Sequence, residues 1–561
     1  MIHAPLHAPE LTQADVQRIQ ATPSSHHDNI KEGPVSTVAR IWTSLKDGEP
    51  PQWVVSKSAP VVRRFSREPH DIVKELRLLN TLSHSNIITT LGNFIDSDEG
   101  TPTLRFYMPY IPISLSDLLS SPYFTPHPFP PPSTPLLTTP SPKRQTCDVV
   151  SPANVDPESR FVTIARSIMF QVLCAIAYLH DDERGVAHRD IKPDNILLTQ
   201  EGCVKLIDFG VSYEATTASS SCKDKDNAKG NDLWPETRER MYFEVCTGAY
   251  RAPELLFGPR NYDAFAVDRW SLGATFAQFF TPLRLSSAED EDEDDSDDEH
   301  ECNDADNSNE DRNGSSDGGR GDQDSTRVAS PRARSIQPFI VPKYLRIGYP
   351  GAQWTRETLF NGDRGEIGLA WSIFKIYGTP SPQSWPEFED LPGSKSVVFN
   401  DAPPVPVEPL LPNLPPSTIS SPSSSSPSPS NSASYLPPPD PLPTPFDLLS
   451  RFLLYPTSAR QPAAQALLHP WLTSAPILLP RGYSMDLDFT ITVPSNGAIR
   501  PTLLARTSSA ATVRPAGVVG EEVKRKLGEL GVYSWEGKEL GEWLEGVLVG
   551  IPGSGATRTS S

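Results

Sequence analysis

The chain has 561 residues, of which 60 are prolines, and a formal net charge of −20 at neutral pH. Residues 289–324 hold 18 acidic residues against two arginines, so this one block supplies −16 of the net charge. The rest of the chain is nearly neutral, which argues against the basic surface that a nucleic-acid-binding protein needs.

The cysteines and the hydropathy pattern indicate a location inside the cell. The six cysteines show neither close pairing nor zinc-ligand spacing, a pattern typical of a reducing compartment. We find no apolar run that approaches the roughly 18 residues of a membrane span, and no signal-peptide pattern at the N-terminus. We therefore expect an intracellular protein, in the nucleus, the cytoplasm or both, with no membrane or nucleic-acid partner.

Tracts rich in proline and serine, together with the acidic block, divide the chain. Such tracts cannot bury enough apolar surface to offset the entropy lost on folding. We expect one globular core that is interrupted by disordered inserts at about 121–157, 286–335 and 402–443.

The N-terminal region contains an arm and a turn. Residues 1–29 are expected to form a mobile or loosely docked arm with a short helix near 11–19. The following turn contains Gly33 and leads to Val38. Taken alone, this segment is compatible with an ordinary β-turn.

A strand and a helix follow the turn. Residues 52–57 alternate in hydrophobicity, as a half-buried β-strand does, and end in Lys57. Residues 69–82 place apolar side chains at helical spacing, and Glu75 lies among them. A lone lysine at a strand end is usually solvated, so a functional Lys57 needs a partner, and Glu75 is the candidate.

The middle of the chain alternates between apolar and polar segments. Residues 104–113 are apolar and prone to form a strand, and they include the run Met108, Pro109, Tyr110 and Ile111. After the first insert, residues 160–180 have the periodicity of an amphipathic helix.

The most informative stretch is residues 186–198, which read Val-Ala-His-Arg-Asp-Ile-Lys-Pro-Asp-Asn-Ile-Leu-Leu. It places an acid, a base and an amide at close offsets between apolar residues: Asp190, Lys192 and Asn195. Shortly afterwards, residues 206–210 read Leu-Ile-Asp-Phe-Gly, which predicts a short strand that ends at Asp208. Carboxylate and amide oxygens are suited to Mg²⁺.

Two further motifs lie towards the C-terminus. Residues 242–254 read Tyr-Phe-Glu-Val-Cys-Thr-Gly-Ala-Tyr-Arg-Ala-Pro-Glu. Asp268 then begins a helical pattern, and Arg460 lies in a later helical region.

Together, these motifs resemble those of eukaryotic protein kinases. Arg251 before Ala-Pro-Glu makes them similar to the CMGC branch, which contains cyclin-dependent kinases and the kinases that activate them. The resemblance implies an α+β, bilobal fold for residues 30–472. A β-rich N-lobe would span 30–111 and a mainly α-helical C-lobe 112–472, with ATP between them. An activation segment would span 208–254.

The same resemblance implies roles for the polar residues. Asp190 would orient the substrate hydroxyl and Lys192 would stabilise the γ-phosphate. Mg²⁺ would be held by Asn195 and Asp208. The Lys57–Glu75 ion pair would grip the ATP phosphates. The remaining nucleotide contacts would come from Gly33, Val38, Met108, Pro109 and Ile111.

The resemblance also implies how the activation segment works. Thr247 would contact the catalytic residues and Arg251 would help to place the substrate. Arg189 would pair with a phosphothreonine in the cyclin-dependent family. This chain has Tyr242 at the corresponding position, so we predict that it does not require threonine phosphorylation there. Asp268 would support the catalytic loop, and Arg460 would form a structural ion pair with Glu254.

Two functions from different classes follow from these observations. The first is a protein serine/threonine kinase that acts on residues before proline, in cell-cycle control or signalling, with a cyclin-like or other regulatory subunit as a candidate partner. The second is a pseudokinase scaffold that binds partners through its inserts, which the single glycine in the phosphate loop favours. The tail, 473–561, contains an amphipathic helix at 538–548 that could dock on the core or on a partner.

Overall fold

The computed structural model describes residues 11–96, 100–130, 155–215, 232–287, 336–415, 444–485, 487, 489 and 516–548. These residues form a small lobe built on a β-sheet and a larger lobe built mainly of helices. This is the bilobal arrangement that the sequence predicts.

The small lobe contains a five-stranded antiparallel sheet with the strand order β1-β2-β3-β5-β4. Its strands are β1 (His27–Glu32), β2 (Thr37–Thr43), β3 (Gln52–Pro60), β4 (Gly92–Asp96) and β5 (Thr103–Pro109). Helix α2 (Ile72–Thr81) lies between β3 and β4 in the chain and buries Leu78 and Leu79. The small lobe thus consists of the sheet and helix α2, whose apolar face is buried.

The N-terminal segment corrects the expectation of a loosely docked arm. Helix α1 (Gln13–Gln20) begins with a capping box, in which Thr12 and Asp15 satisfy each other's backbone N–H groups. Its residues Val16 and Ile19 pack against buried side chains of the sheet, among them Ile41. Burial of these apolar residues makes α1 part of the small lobe.

The larger lobe has seven helices within the described residues. They are α3 (Leu115–Leu119), α4 (Pro157–Leu179), α5 (Ala264–Ala277), α6 (Gly365–Tyr377), α7 (Pro445–Ser450), α8 (Ala463–Ala466) and α9 (Pro470–Thr473). Short strands complete it: β6 (Ile113–Ser114), β7 (Val186–Ala187), β8 (Ile196–Leu198), β9 (Val204–Leu206), β10 (Tyr213–Glu214), β11 (Leu283–Ser286), β12 (Phe339–Ile340) and β13 (Gln353–Arg356). The loop at residues 188–195 runs from β7, which pairs with β10, to β8, the middle strand of the sheet β6-β8-β9.

Helix α4 is the central helix of the larger lobe. Asp156 caps its N-terminus by accepting a hydrogen bond from the Ser159 N–H, and Pro157 occupies the first turn. The expectation that no apolar stretch approaches membrane-spanning length is wrong for this helix. An 18-residue window has a mean hydropathy of 1.7, and 83% of it is buried inside the fold, as in the core helix of a globular domain.

Two of the expected inserts are shorter than the proline content indicates. Residues 121–130 belong to the fold, since Phe124 is fully buried and the buried Arg356 donates to its carbonyl oxygen. Residues 402–415 also belong to it, since Asn413 accepts a 2.7 Å hydrogen bond from Thr125. The rest of the expected inserts, 131–154, 288–335 and 416–443, lies outside the described residues, apart from short flanks at 155–157 and 286–287.

The C-terminal tail packs on the larger lobe. Strands β14 (Ile477–Leu478) and β15 (Gly531–Val532) pair in parallel, and α10 (Ala516–Leu530) and α11 (Leu540–Val547) accompany them. Helix α11 buries Trp543 and Leu544, and Ser121 donates a hydrogen bond to the carbonyl of its last residue. The amphipathic helix that the sequence predicts in the tail therefore docks on the chain itself.

Candidate active site

The catalytic loop follows β7 and is held by one buried carboxylate. Arg189 has a φ of 61°, in the left-handed region that a side chain rarely adopts. The Asp268 carboxylate, fully buried in the second turn of α5, accepts 2.7 Å hydrogen bonds from the N–H groups of His188 and Arg189. It also accepts a 2.8 Å bond from His180. These bonds stabilise the strained conformation, so Asp268 supports the loop as predicted.

Asp190, Lys192 and Thr247 form a compact polar group. The Lys192 ammonium lies 2.9 Å from the Asp190 carboxylate and 2.6 Å from the Thr247 hydroxyl. That hydroxyl also donates a 2.7 Å bond to the second carboxylate oxygen of Asp190. The activation segment is thus joined directly to the catalytic loop, and Asp190 is fixed where it can accept a proton.

Asn195 lies at the end of the loop, in a short turn before β8. Its amide nitrogen donates to the Asp190 carbonyl at 2.8 Å and to the Asp190 carboxylate at 2.9 Å. Because the amide nitrogen is used in this way, the amide oxygen is the atom of Asn195 suited to a metal ion.

Lys57 bridges two acidic residues from different lobes. Its ammonium lies 2.7 Å from Glu75 and 2.8 Å from Asp208. Burial alone would lower the pKa of Lys57, but the two carboxylates outweigh burial and raise it. Burial likewise opposes ionisation of Asp208, yet Lys57 holds the Asp208 pKa well below its usual value. Burial raises the pKa of Glu75 to about 7, against the opposing effect of Lys57.

Helix α2 presents Glu75 because its N-terminus is fixed to the Asp-Phe-Gly loop at residues 208–210. Asp71 caps α2 by accepting 3.0 Å bonds from the N–H groups of Val73 and Lys74. The Asp71 N–H donates in turn to the Gly210 carbonyl at 2.9 Å. The small lobe and the Asp-Phe-Gly loop therefore hold each other in one position.

Asp208 itself lies in a strained turn, with a φ of 68°. The next residue, Phe209, is fully buried and packs edge-on against the His188 ring at 4.8 Å. The strain places the carboxylate of Asp208 opposite Lys57 while the aromatic ring anchors the turn.

The remaining predicted nucleotide contacts lie on strands of the small lobe, in the turn between two of them, and just beyond β5. Val38 pairs with Lys57 across β2 and β3, and Met108 is buried near the end of β5, with Pro109 beside it. Ile111 is half-buried just beyond β5. Gly33 lies in the β1–β2 hairpin turn, where an added Cβ would meet only the Ser36 carbonyl oxygen, at 3.7 Å. Within the chain, no close contact at this turn therefore requires glycine.

The acidic and amide oxygens suit Mg²⁺ held jointly with nucleotide phosphates. Among the described residues, no group of three or more His, Cys, Asp or Glu side chains could enclose an ion by itself. Mg²⁺ is usually held by one or two carboxylates plus substrate phosphates. Asp208 and Asn195 fit that requirement, and Lys57 fits the phosphates.

The activation segment returns to the core at several residues. Arg251 lies 2.5 Å from Glu366 on α6 and donates to the Phe243 carbonyl at 2.7 Å. The Tyr242 hydroxyl donates to Glu68 at 3.0 Å. Residues 216–231 of the expected segment lie outside the described residues.

Arg189 has a partner that the sequence interpretation missed. Its guanidinium forms two hydrogen bonds, of 2.8 and 2.6 Å, with the carboxylate of Glu236. The available signal was weak: one of two glutamates shortly before Tyr242, in a segment with many polar residues.

A second buried ion pair fixes the end of the activation segment. Arg460 and Glu254 meet through two 2.7 Å bonds, with side chains 0% and 4% exposed. The structure thus places this predicted pair together.

A two-lobed fold with a lysine–glutamate pair in one lobe and an Asp-Lys-Asn loop facing it from the other defines the kinase class of fold. The sequence model of the protein kinase domain family matches residues 26–328, which is more than half of the chain. The chain therefore belongs to the protein kinase family. A protein kinase domain implies the use of ATP and Mg²⁺ in general.

Several kinases are similar to this chain. Cyclin-dependent kinase 20 of Danio rerio is 24% identical over 313 residues, 56% of this chain and 55% of that protein. Serine/threonine-protein kinase csk1 of Schizosaccharomyces pombe is 23% identical over 379 residues, 67% of this chain and 81% of that protein. Meiotic mRNA stability protein kinase SSN3 of Saccharomyces cerevisiae is 39% identical over 124 residues, 22% of this chain and 19% of that protein.

The chain spans about half the length, 55%, of the Cyclin-dependent kinase 20 relatives that it matches. Among solved structures, a chain of the yeast RNA Pol II CTD kinase CTDK-1 complex is 18% identical with a TM-score of 0.44. That comparison covers 84% of this chain and 98% of the other.

Proposed function

We propose that this chain is an active protein serine/threonine kinase that uses MgATP. The observation that carries the proposal is the bonded group of Asp190, Lys192 and Thr247, with Lys57 paired to Glu75 opposite it. Phosphoryl transfer depends on positioning and on charge stabilisation more than on covalent chemistry. An arrangement with these groups already in contact satisfies both needs.

In the proposed reaction, the substrate hydroxyl oxygen forms a bond to the γ-phosphorus and the bond to the ADP oxygen breaks. MgATP supplies the phosphoryl group and part of the charge neutralisation. Asp190 orients the hydroxyl and takes up its proton, which contributes about 10²–10⁴ to the rate in comparable enzymes. Lys192 neutralises charge that develops beside Asp190, and Lys57 holds the phosphates with Glu75 fixing its position.

We further propose a preference for serine or threonine followed by proline. Cys246, next to Thr247, has a φ of 64°, in the left-handed region. A left-handed residue such as Cys246 turns its backbone N–H and C=O groups away from the directions that they have in an extended strand. A substrate residue that lies beside it gains no strand-type hydrogen bond, so proline, which has no N–H, loses least there.

A cyclin-like subunit is the candidate regulatory partner, because one group of similar proteins bears the name Cyclin-dependent kinase 20. Within the chain, residues 232–236 already contact α2, the helix that a regulatory subunit would have to position. We propose that the protein works inside the cell, in the nucleus or cytoplasm, because its six cysteines show neither close pairing nor zinc-ligand spacing, a pattern typical of a reducing compartment.

The proposal is tested by phosphate incorporation into peptides by the purified full chain. Wild type should phosphorylate a Ser-Pro peptide faster than the matched Ser-Ala peptide and should not phosphorylate Tyr-Pro. Asp190→Asn and Asp208→Asn should abolish transfer. Asp194→Asn removes an exposed carboxylate from the same loop and should retain activity.

The alternative is a pseudokinase scaffold, which the single glycine of the β1–β2 turn favours. Equal incorporation by wild type and both inactive variants would reveal a contaminating kinase. No incorporation by wild type, alone or with the proteins that copurify with it from cells, would support the scaffold and refute the enzyme.

A further inference from the structure

Arg189 is a fully buried cation whose main partner is Glu236. Besides the two bonds to Glu236, its guanidinium donates to the Val211 carbonyl at 2.8 Å and to the Tyr262 hydroxyl at 2.9 Å. Two parallel bonds between a guanidinium and a carboxylate are among the strongest polar contacts in proteins. The catalytic loop is therefore anchored through the residue directly before Asp190.

Glu236 connects three parts of the protein. Its side chain is 4% exposed and lies 3.4 Å from the ammonium of Lys74, which is on α2. It also accepts a 2.9 Å bond from the N–H of Tyr242 in the activation segment. One carboxylate thus joins the catalytic loop, the helix that carries Glu75, and the activation segment.

The electrostatics of this site favour an ionised carboxylate. Burial would raise the pKa of Glu236, but Arg189 and Lys74 outweigh burial and lower it. Two buried cations around one acceptor form the kind of site that receives the phosphate of a modified side chain in regulated proteins. Here the carboxylate of Glu236 supplies the negative charge between the two cations.

Tyr242 does not occupy this site. Its hydroxyl lies 3.0 Å from the Glu68 carboxylate, so only its backbone N–H faces Glu236. A phosphate on Tyr242 would meet the negative charge of Glu68.

Neighbouring residues attach the same segment along α2. Asp232 forms bonds of 3.1 and 2.9 Å with Arg77, and the Trp234 N–H donates to Asp71 at 2.9 Å. Residues 232–236 thus contact α2 at its N-terminal cap and on successive turns. This attachment favours the position of α2 in which Glu75 reaches Lys57.

We propose that Glu236 is a positioning residue that takes the place of an activating phosphate, so that the catalytic loop and α2 are ordered without modification of the activation segment. This inference rests on the proposed kinase function and specifies how that function is regulated. It predicts that the chain, freed of phosphate, transfers phosphate at its full rate.

The experiment uses full-length wild type and Glu236→Ser that are treated with phosphatase and shown by mass spectrometry to carry no phosphate. Protein with an incorporated phosphoserine is left untreated, and mass spectrometry verifies that it carries only that phosphate. Glu236→Ser should lower kcat by about 10²-fold, the effect of displacing catalytic groups by about 1 Å. Phosphoserine incorporated at position 236 during translation should restore at least about one tenth of the wild-type rate, because it returns the anion to the two cations. Rescue by an anion separates positioning from general damage to the fold.

Glu239 provides the matched control, since it is an exposed glutamate in the same segment. Glu239→Ser, with or without phosphate, should leave kcat unchanged. The inference is overturned if Glu236→Ser is as active as wild type, if phosphoserine at 236 gives no rescue, or if wild type needs phosphorylation of its activation segment. In each of those cases Asp190-dependent transfer by some form of the chain would leave the proposed function standing.

A chain that transfers no phosphate in any form would refute the proposed function instead. Hydrogen exchange then decides the inference by itself. Glu236→Ser should accelerate exchange at least about tenfold in α2 and in residues 186–195, where local opening becomes easier. Unchanged exchange in both regions would overturn it.

Discussion

Replacing Arg460 by alanine should lower the free energy of unfolding by about 3–5 kcal/mol, as expected when one partner of a buried ion pair is removed. The structure supports the upper part of that range. The variant leaves the Glu254 carboxylate, 4% exposed, without its two 2.7 Å bonds. It also removes donors from the Leu454 and Ala266 carbonyls, at 2.8 and 2.9 Å, and a cation–π contact with Trp270 at 5.1 Å.

Urea unfolding, monitored by tryptophan fluorescence, measures this loss. Arg284→Ala is the matched control, because the Arg284 side chain is 50% exposed and pairs with Glu357 at 2.6 Å. An exposed pair of this kind contributes about 0–1 kcal/mol. The double variant Arg460→Met with Glu254→Leu should cost less than the sum of its two single changes, because no charge is left buried.

The expected phenotype of Arg460→Ala is a poor yield of folded protein with near-normal activity for each folded molecule. Many domains have only about 5–15 kcal/mol of stability to lose. A variant that unfolds at the wild-type urea concentration but has lost activity would refute the structural role of the pair.

The remaining predictions concern the pH response and the tail. Burial raises the pKa of Glu75 to about 7, so protonation of Glu75 should weaken its bond to Lys57 as the pH drops through that value. The plot of kcat/KM against pH should therefore fall below about pH 7 in wild type, and Glu75→Gln should lack this fall. The effect of Glu75 on stability has the opposite sign. Because its pKa is raised in the folded state, Glu75 stabilises the fold at low pH, and this contribution is lost as the pH rises through about 7. Acidification from alkaline pH should therefore not lower the melting temperature through Glu75. Trp543→Ala should lower the free energy of unfolding, measured in urea, by about 3–5 kcal/mol. Tyr533→Ala truncates an aromatic side chain that is 51% exposed and should have little effect. Equal losses for the two variants would contradict burial of the tail.

The residues of the candidate active site could be found in the sequence because their offsets are local. A loop that places Asp190, Lys192 and Asn195 within a few residues needs little long-range information. The same holds for Asp208, whose strand is short and whose flanking residues are apolar. Lys57 and Glu75 required one further step, since a strand and a helix had to be paired.

Glu236 could not be found in this way. Its partner Arg189 is far away in sequence, and residues 216–231 separate the two elements. The resemblance to cyclin-dependent kinases directed attention to Tyr242 instead. An acidic residue that lies outside the spacing of a family motif gives no signal in the sequence. The physical signal, a buried carboxylate between two cations, exists only in three dimensions.

The boundaries of the inserts were wrong for a compositional reason. Proline-rich segments cannot form regular elements, but they can still pack when they contain large apolar residues. Phe124 and Leu411 are such residues, and both are buried. For the tail, the apolar stripe of α11 was predicted, but periodicity alone does not say which surface covers it.

The packed tail has a consequence for synthesis on the ribosome. Leu540 lies against Gly202, whose φ of 87° and missing side chain let the helix approach the β8–β9 turn. The strands of the small lobe and α2 precede the larger lobe in the chain, so they are synthesised first. The larger lobe keeps apolar surface open until α11, which follows it in the chain, has been made. Nascent chains of this kinase are therefore expected to occupy chaperones until the last turn of α11 emerges.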